Sequence, residues 1–313
     1  MTTITAKIIA DSISPQGVRL TTMQLRYPRF IHAEFMMHRM FSRNASSSRA
    51  VPVERLIADV ERDPAVPLVW TKNQPGMQGI ELLTPKEVAS GVIEWAEALQ
   101  NGIRHARRLI KLGAHKQLVN RLLEPFSHIN VLVTATAWAN FFALRCHAAA
   151  EPHMRLLAEA MWSARQESMP MRLEPGDWHT PYVTPSEWVT LTCQDSITDV
   201  LGLSRGDTVA TAVRCSVARC ARVSYLTTEG KPPTVEADLA LYERLVGAAP
   251  MHASAAEHQA TPDDFEDGPE VGIVQEDGSR WRQVVGYRHP ELHGNLRGWV
   301  QYRKTLAGEC KRD

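Results

Sequence analysis

The sequence predicts an α+β protein, a mixed or antiparallel sheet accompanied by long helices, on three observations. Near the amino terminus Lys7 to Ile13 and Val18 to Leu25 alternate at the period of half-buried strands, with Ser14-Pro15-Gln16-Gly17 as the turn between them. From Thr84 to Leu112 the apolar residues recur at helical spacing, behind the helix start Thr84-Pro85-Lys86-Glu87. Finally, 313 residues with 44% hydrophobic content support a real core.

The elements follow in order. After the two strands, Phe30 to Met37 carries apolar residues at 30, 31, 35, 36 and 37 and reads as a packed helix. Gly113 ends the long helix, and helices continue from His115 to Leu123, Trp138 to Ala149 and Pro152 to Glu167. Glu174 to Thr192, rich in Pro, Trp and Thr, reads as a loop crossing between halves. Val209 to Tyr225 and Thr234 to Gly247 are helical, and Thr261 to Glu276 is an acidic loop containing Pro and Gly. Asn295 to Lys304 is helix-like and basic, either a closing element near a site or a plain surface helix.

Charge and cysteine content set limits. Lys+Arg and Asp+Glu are balanced at 35 each, so a broad electrostatic surface for nucleic acid is not indicated. No apolar run reaches the length of a membrane span, and Met1-Thr2-Thr3-Ile4-Thr5 lacks a signal-peptide core. Cys146, Cys193, Cys215, Cys220 and Cys310 are scattered and odd in number, which suits a reducing cytoplasm, and none belongs to a zinc spacing, so no metal is expected.

The densest chemistry is the run His38-Arg39-Met40-Phe41-Ser42-Arg43-Asn44-Ala45-Ser46-Ser47-Ser48-Arg49. Arginine forks, serine hydroxyls and backbone N–H groups together make a cage for phosphate oxygens. An isolated Ser/Arg cluster is more often a solvated loop, but this one follows the apolar stretch 30–37, and a polar run delivered by a packed helix is held in place.

The same residues resemble the signature of the flavin-dependent thymidylate synthases: Arg-His-Arg, seven residues, Ser, and an Arg two positions on. Met37-His38-Arg39, Ser47 and Arg49 match all but the first arginine, and Glu34 stands where that family commonly has Gln. A second block, Arg121-Leu122-Leu123-Glu124-Pro125 and then Asn140-Phe141-Phe142-Ala143-Leu144-Arg145, resembles Arg-x-x-Leu-Pro followed by Asn-Phe-Leu-x-Leu-Arg. A third, Ala221-Arg222-Val223-Ser224 and His252-Ala253-Ser254-Ala255-Ala256-Glu257-His258, resembles elements that in the family precede the signature, whereas here they follow it. That order is the order of a circular permutant, which is physically reasonable where chain ends lie near one another at the surface.

What the resemblance implies is one α+β catalytic domain over 1–313, with a nucleotide and flavin signature half at 1–170, a crossing loop at 171–208 and a permuted flavin-contacting half at 209–313. It implies FAD, methylenetetrahydrofolate as carbon donor, NADPH as reductant and a pyrimidine deoxynucleoside monophosphate, by family default dUMP converted to dTMP. Carried over residue by residue, His38, Arg39, Asn140, Ser224, His252, Ser254 and Glu257 fall at the family's flavin-contacting positions. Glu34, Ser47, Ser48, Arg49, Arg121 and Arg145 fall at its nucleotide-contacting positions. Arg145 is the expected catalytic residue, stabilising negative charge that develops on the ring oxygen. Family members form tetramers with shared sites, so a homotetramer is expected.

No cysteine stands in a recognisable nucleophile motif; Cys146 merely adjoins Arg145. Met37, Ala45, Ala50 and Glu34 depart from the family pattern around base and sugar. A carboxylate only accepts hydrogen bonds, so Glu34 facing the base would favour cytosine, whose N4 donates. The alternative substrate is therefore dCMP, methylated or hydroxymethylated at C5 to make modified DNA precursors. A protonated Glu34, or one turned to a neighbouring arginine, restores the uracil default. Two further functional classes compete with a one-carbon transferase. A nucleotide-binding module without catalysis leaves His252, Ser254 and Glu257 without use, and a plain flavin reductase leaves Ser47, Arg49, Arg121 and Arg145 without use.

Overall fold

The computed structural model describes residues 2–192, 205–225, 234–274 and 280–309; Cys193, Cys310 and residues 193–204 of the expected crossing loop lie outside them. Strands β1 (Thr5–Ile13) and β2 (Arg19–Pro28) form the expected antiparallel hairpin. Its turn closes with Gly17 N–H donating to Ser14 O (2.9 Å), and Gly17 takes φ 78°, a conformation glycine adopts without steric cost.

Three strands extend the sheet beyond those the sequence predicts. Strand β4 (His128–Ala135) pairs antiparallel with β2, and β3 (Ser42–Ala45) pairs antiparallel with β4. Strand β5 (Met171–Arg172), inside the expected crossing loop, lies parallel to β1, giving the mixed order β3-β4-β2-β1-β5. The α+β class with a mixed sheet is thus observed.

Alternation along the strands sends successive side chains to opposite faces. Met23, Leu25, Tyr27, Val131 and Val133 share one core with α1 (His32–Phe35), α5 (Ala139–Arg145) and α6 (Pro152–Glu167). Helix α6 presents Met154, Leu157, Ala158 and Met161 to it, the spacing of one helical face. Leu132, between Val131 and Val133, points the other way, into Val217, Ala221, Leu241 and Leu245 of α8 (Arg205–Tyr225) and α9 (Val235–Val246). Ala255 and Ala256 of the third sequence block join that second core. A third core joins α2 (Val53–Arg62) to α3 (Pro85–Lys111), through Leu56, Ile57 and Val60 against Leu99, Ile103 and Ala106.

Between the sheet and the α8 side runs a buried polar chain. Ser12 Oγ meets His179 Nδ1 (2.8 Å), His179 Nε2 meets Thr22 Oγ1 (2.8 Å), Thr22 meets Thr134 (2.6 Å), and Thr134 meets His258 Nδ1 (2.8 Å). Burial pushes both histidines down to about 3, so each is a neutral ring.

Several expectations are corrected. The helix expected over Phe30 to Met37 is a 3-10 turn, Arg29–Ile31, followed by the single turn α1. That of His115 to Leu123 shortens to α4 (Lys116–Val119) and a 3-10 turn, and that of Trp138 to Ala149 ends at Arg145. The expected loop Glu174 to Thr192 contains α7 (Pro185–Thr192), opened by a Thr184 and Glu187 pair that cap each other, Glu187 N–H to Thr184 Oγ1 at 3.2 Å and Thr184 N–H to Glu187 Oε2 at 2.9 Å. The expected loop Thr261 to Glu276 is largely strand over its described residues, in β6 (Ala260–Pro262) and β7 (Phe265–Val274), while 275 and 276 lie outside them. Its Gly268-Pro269 falls where the ladder between β7 and β8 (Arg280–Tyr287) shifts register, which is how a sheet tolerates such residues. The helix-like Asn295 to Lys304 begins as β9 (Trp299–Gln301), paired with β6, and becomes helical only in α10 (Tyr302–Thr305).

Candidate active site

The Ser/Arg run is a held segment. Asn44 Nδ2 donates to Cys220 O (2.7 Å), tying β3 to α8. Ser46 and Asn130 exchange two hydrogen bonds (2.8 and 3.1 Å), and Asn120 Nδ2 donates to the carbonyls of Ser48 (2.6 Å) and Val51 (2.9 Å). This leaves the Arg49 side chain exposed at the rim of a cleft of about 360 Å³, lined also by Asn44, Ser47, Gln117, His252 and Ser254. The third sequence block therefore meets the signature run, as the permuted order requires.

A second, larger cleft of about 710 Å³ holds His38, Arg39 and Asn140. Its wall is Trp138, Phe141, Phe142 and Trp162, with Thr136 and Arg165 also lining it. Thr136 Oγ1 and Arg165 Nε are buried there without a hydrogen-bond partner among the described residues. Such orphaned polar atoms point to a polar ligand.

Arg145, in the last turn of α5, meets the cleft through His38. Its Nε donates to His38 Nε2 (3.0 Å) and its Nη1 lies 3.8 Å from the Glu34 carboxylate. Burial, then the charges of Arg145 and Arg43, pushes His38 down, so it is a neutral acceptor. Burial, then Glu151, pushes the Glu34 carboxyl up, with Arg145 opposing. Residues 34 and 38 thus meet residue 145, more than a hundred positions on, in one cluster.

Other candidates are placed elsewhere. Glu257 is ion-paired with Arg303, which also donates to Glu309 (2.9 Å); burial raises Glu257 while Arg303 opposes. Ser48 is buried and its Oγ donates to Glu124 (2.5 Å), and the exposed Arg121 pairs with the same carboxylate at 3.0 Å. Ser224 lies in the last turn of α8, with its side chain outside the described residues. Asn295 to Lys304 does close on this region: Gln301 Nε2 donates to Glu257 O (3.0 Å) and to Ser42 Oγ (3.2 Å), and Asn295 Nδ2 donates to Met40 O (3.2 Å).

Sequence reasoning passed over Arg29, Arg43, Glu124 and Arg303. Arg43 donates to Met36 O (2.8 Å) and its charge reaches both His38 and Glu257. The sequence carries a signal for Arg29 and Arg43, cations inside or beside segments read as packed, and for Arg303 only its place in the basic stretch Asn295 to Lys304, since its partner is 46 positions away.

Residues 14–171, about half of the chain, match the model of the thymidylate synthase complementing protein family, and the chain belongs to that family. Among solved structures it is similar to a UMP/dUMP methylase PolB from Streptomyces cacaoi bound with 5-Br UMP, at 19% identity over 53% of this chain and 90% of that chain, TM-score 0.46. It is similar likewise to that methylase bound with 5-Br dUMP, at 17% identity over 53% and 91%, TM-score 0.45. No curated protein matches the sequence.

Proposed function

We propose that the chain is a methyltransferase-type enzyme that moves a one-carbon unit from methylenetetrahydrofolate to C5 of dUMP, giving dTMP, with FAD and a nicotinamide reductant such as NADPH, in the cytoplasm. The observation that carries this reading is the Glu34–Arg145–His38 cluster, whose His38 lines an aromatic cleft. Family membership supports the pyrimidine nucleotide as substrate class.

The cleft residues fit a flavin. Trp138, Phe141, Phe142 and Trp162 offer a wall for a flat ring, while the orphaned Thr136 hydroxyl and Arg165 Nε, with Arg39 and Asn140, offer donors for ring carbonyls and phosphate. His38, Arg39 and Asn140 would hold the group from this side, and His252 and Ser254 from the other cleft. When bound and reduced, the flavin supplies the electron pair that leaves the transferred carbon as a methyl group.

The chain's own residues do the rest. Arg145 presents its guanidinium to the pyrimidine oxygen, where charge grows as C5 becomes nucleophilic, and neutral His38 holds that guanidinium by accepting from Nε. Ser47 and Arg49 take the nucleotide phosphate, with Ser48 and Arg121 beside them. Glu34 lies toward Arg145, which supports uracil over the cytosine reading. The two clefts are separate in one chain, so the complete site is assembled between copies of a homotetramer. Exposed Met37, Met40 and Trp162 around the larger cleft fit burial against another copy.

Titrating the purified protein with FAD, by absorbance and calorimetry, tests the reading: saturable binding that His38→Ala and Asn140→Ala weaken is expected, and a colourless protein that binds no FAD would refute it.

A further inference from the structure

Glu124 is the residue on which three candidate anion ligands converge. Its Oε1 accepts from Ser48 Oγ at 2.5 Å and from Arg121 Nη1 at 3.0 Å, Oε2 lies 3.2 Å from the same nitrogen, and Oε1 lies 3.9 Å from Arg29 Nη1. Arg29 is largely buried: its Nη2 donates to Ser46 O (3.0 Å) and its Nε has no partner among the described residues. Arg29, Ser46, Ser47 and Ser48 line one cavity of about 230 Å³, and Ser47 also lines the cleft that holds Arg49. Two arginines and one serine hydroxyl thus gather on one carboxylate, the kinds of donor that a phosphate ester uses.

We infer that Glu124 is an internal stand-in for phosphate, a carboxylate filling the phosphate subsite that an incoming nucleoside monophosphate must displace. The inference rests on the proposed phosphate role of Ser47, Ser48, Arg49 and Arg121. A carboxylate and a phosphate oxyanion compete for the same donors and repel each other, so both cannot occupy the subsite. Pro125, in the 3-10 turn Glu124–Phe126, restrains the backbone, and the Glu124 side chain remains 21% exposed, so rotation of the side chain alone releases Ser48 and Arg121. Without the ligand, Glu124 neutralises the buried Arg29 and keeps the serine loop formed. With it, Glu124 lowers affinity specifically for the phosphorylated form of the substrate and so sets how strongly the enzyme separates nucleotide from nucleoside.

The test compares wild type, Glu124→Gln and Glu124→Asp by calorimetry with dUMP and deoxyuridine, and by thermal melting with inorganic phosphate against chloride at equal ionic strength. The expected result is dUMP binding about tenfold or more tighter in Glu124→Gln, one charge-assisted contact's worth, with deoxyuridine affinity unchanged. The same variant should melt higher in phosphate while wild type does not. Glu124→Asp keeps a charge near Arg29 but withdraws it from Ser48; it should fold like wild type and bind dUMP with intermediate affinity, so a misfolded Gln variant leaves a second reading. Equal dUMP affinity in all three proteins with no phosphate effect on melting would overturn the inference and keep the nucleotide reading. A phosphate-stabilised Glu124→Gln in which no form binds dUMP would keep the stand-in and overturn the nucleotide reading.

Discussion

At the residue scale, the account turns on two arginines with different surroundings. Arg145 is locked between His38 and Glu34, so it is positioned before substrate arrives, and preorganised donors of that kind act chiefly on the rate. Arg145→Ala should lower kcat by about two to three orders of magnitude with little change in nucleotide affinity. Arg49 is exposed at the cleft rim, where it gains a partner only when an anion arrives. Arg49→Ala should weaken dUMP binding by about ten- to a hundredfold and leave kcat at saturating substrate nearly intact. Steady-state kinetics with direct binding measurements separate the two, and equal small effects in both variants would contradict the assignments. His38 and Arg145 were legible because each lies inside a short contiguous motif. Glu124, Arg29 and Arg303 were not, because what they do depends on partners brought together only by the fold.

At the element scale, the sheet explains most of what sequence patterning misses. Strand β4, His-Ile-Asn-Val-Leu-Val-Thr-Ala, is covered on both faces, so its apolar residues run together and do not alternate. Strand β3 is polar because it carries the site, and it is a strand only because β4 pairs with it. Strands β6 and β9 escape for a shared reason: each is three residues long and is extended because of the other. Helix α7 was legible in principle, since Thr184-Pro185-Ser186-Glu187 repeats the pattern of Thr84-Pro85-Lys86-Glu87 that correctly opens α3. Leu132, fully buried between β4 and α8, is the direct check on this packing. Leu132→Ala should cost about 2 to 5 kcal/mol in chemical denaturation, and a loss within error of zero would contradict the two-faced sheet.

The buried polar chain beneath the sheet adds a pH dependence. His179 and His258, pushed down to about 3, are neutral in the folded chain, while in the unfolded chain they protonate near 6.5. The unfolded state therefore binds more protons below that value, so stability is complete above it and falls as pH drops from 6.5 toward 3. Most carboxylates stay ionised between pH 6.5 and 5, so the slope there comes from these two rings together with His32 and His128, which burial pushes down to about 4. Melting temperature should decline across that window, less steeply in His258→Asn than in wild type; identical slopes would contradict the neutral buried ring.

At the scale of the whole molecule, the third sequence block carries the argument. In chain order it stands far from the signature run, yet Ala255 and Ala256 pack with Leu132 and Ala221, and His252 and Ser254 share a cleft with Ser47 and Arg49. Motif order alone could not say whether the blocks meet; the sheet and α8 bring them together. The larger cleft, with its aromatic wall and apolar rim, stands apart from that site in a single chain. Light scattering or sedimentation should find an oligomer, with Trp162→Glu weakening both assembly and FAD affinity; a monomer that binds FAD tightly would contradict a shared site.

The most direct measurement is of product. Enzyme, FAD, methylenetetrahydrofolate and NADPH are incubated with dUMP or dCMP, and each nucleotide is read by mass. The account predicts conversion of dUMP to a species heavier by one CH2 unit, no change in dCMP, and loss of the product when FAD is omitted from FAD-free protein. Consumption of dCMP with dUMP untouched, or a product carrying the extra oxygen of a hydroxymethyl group, would contradict it.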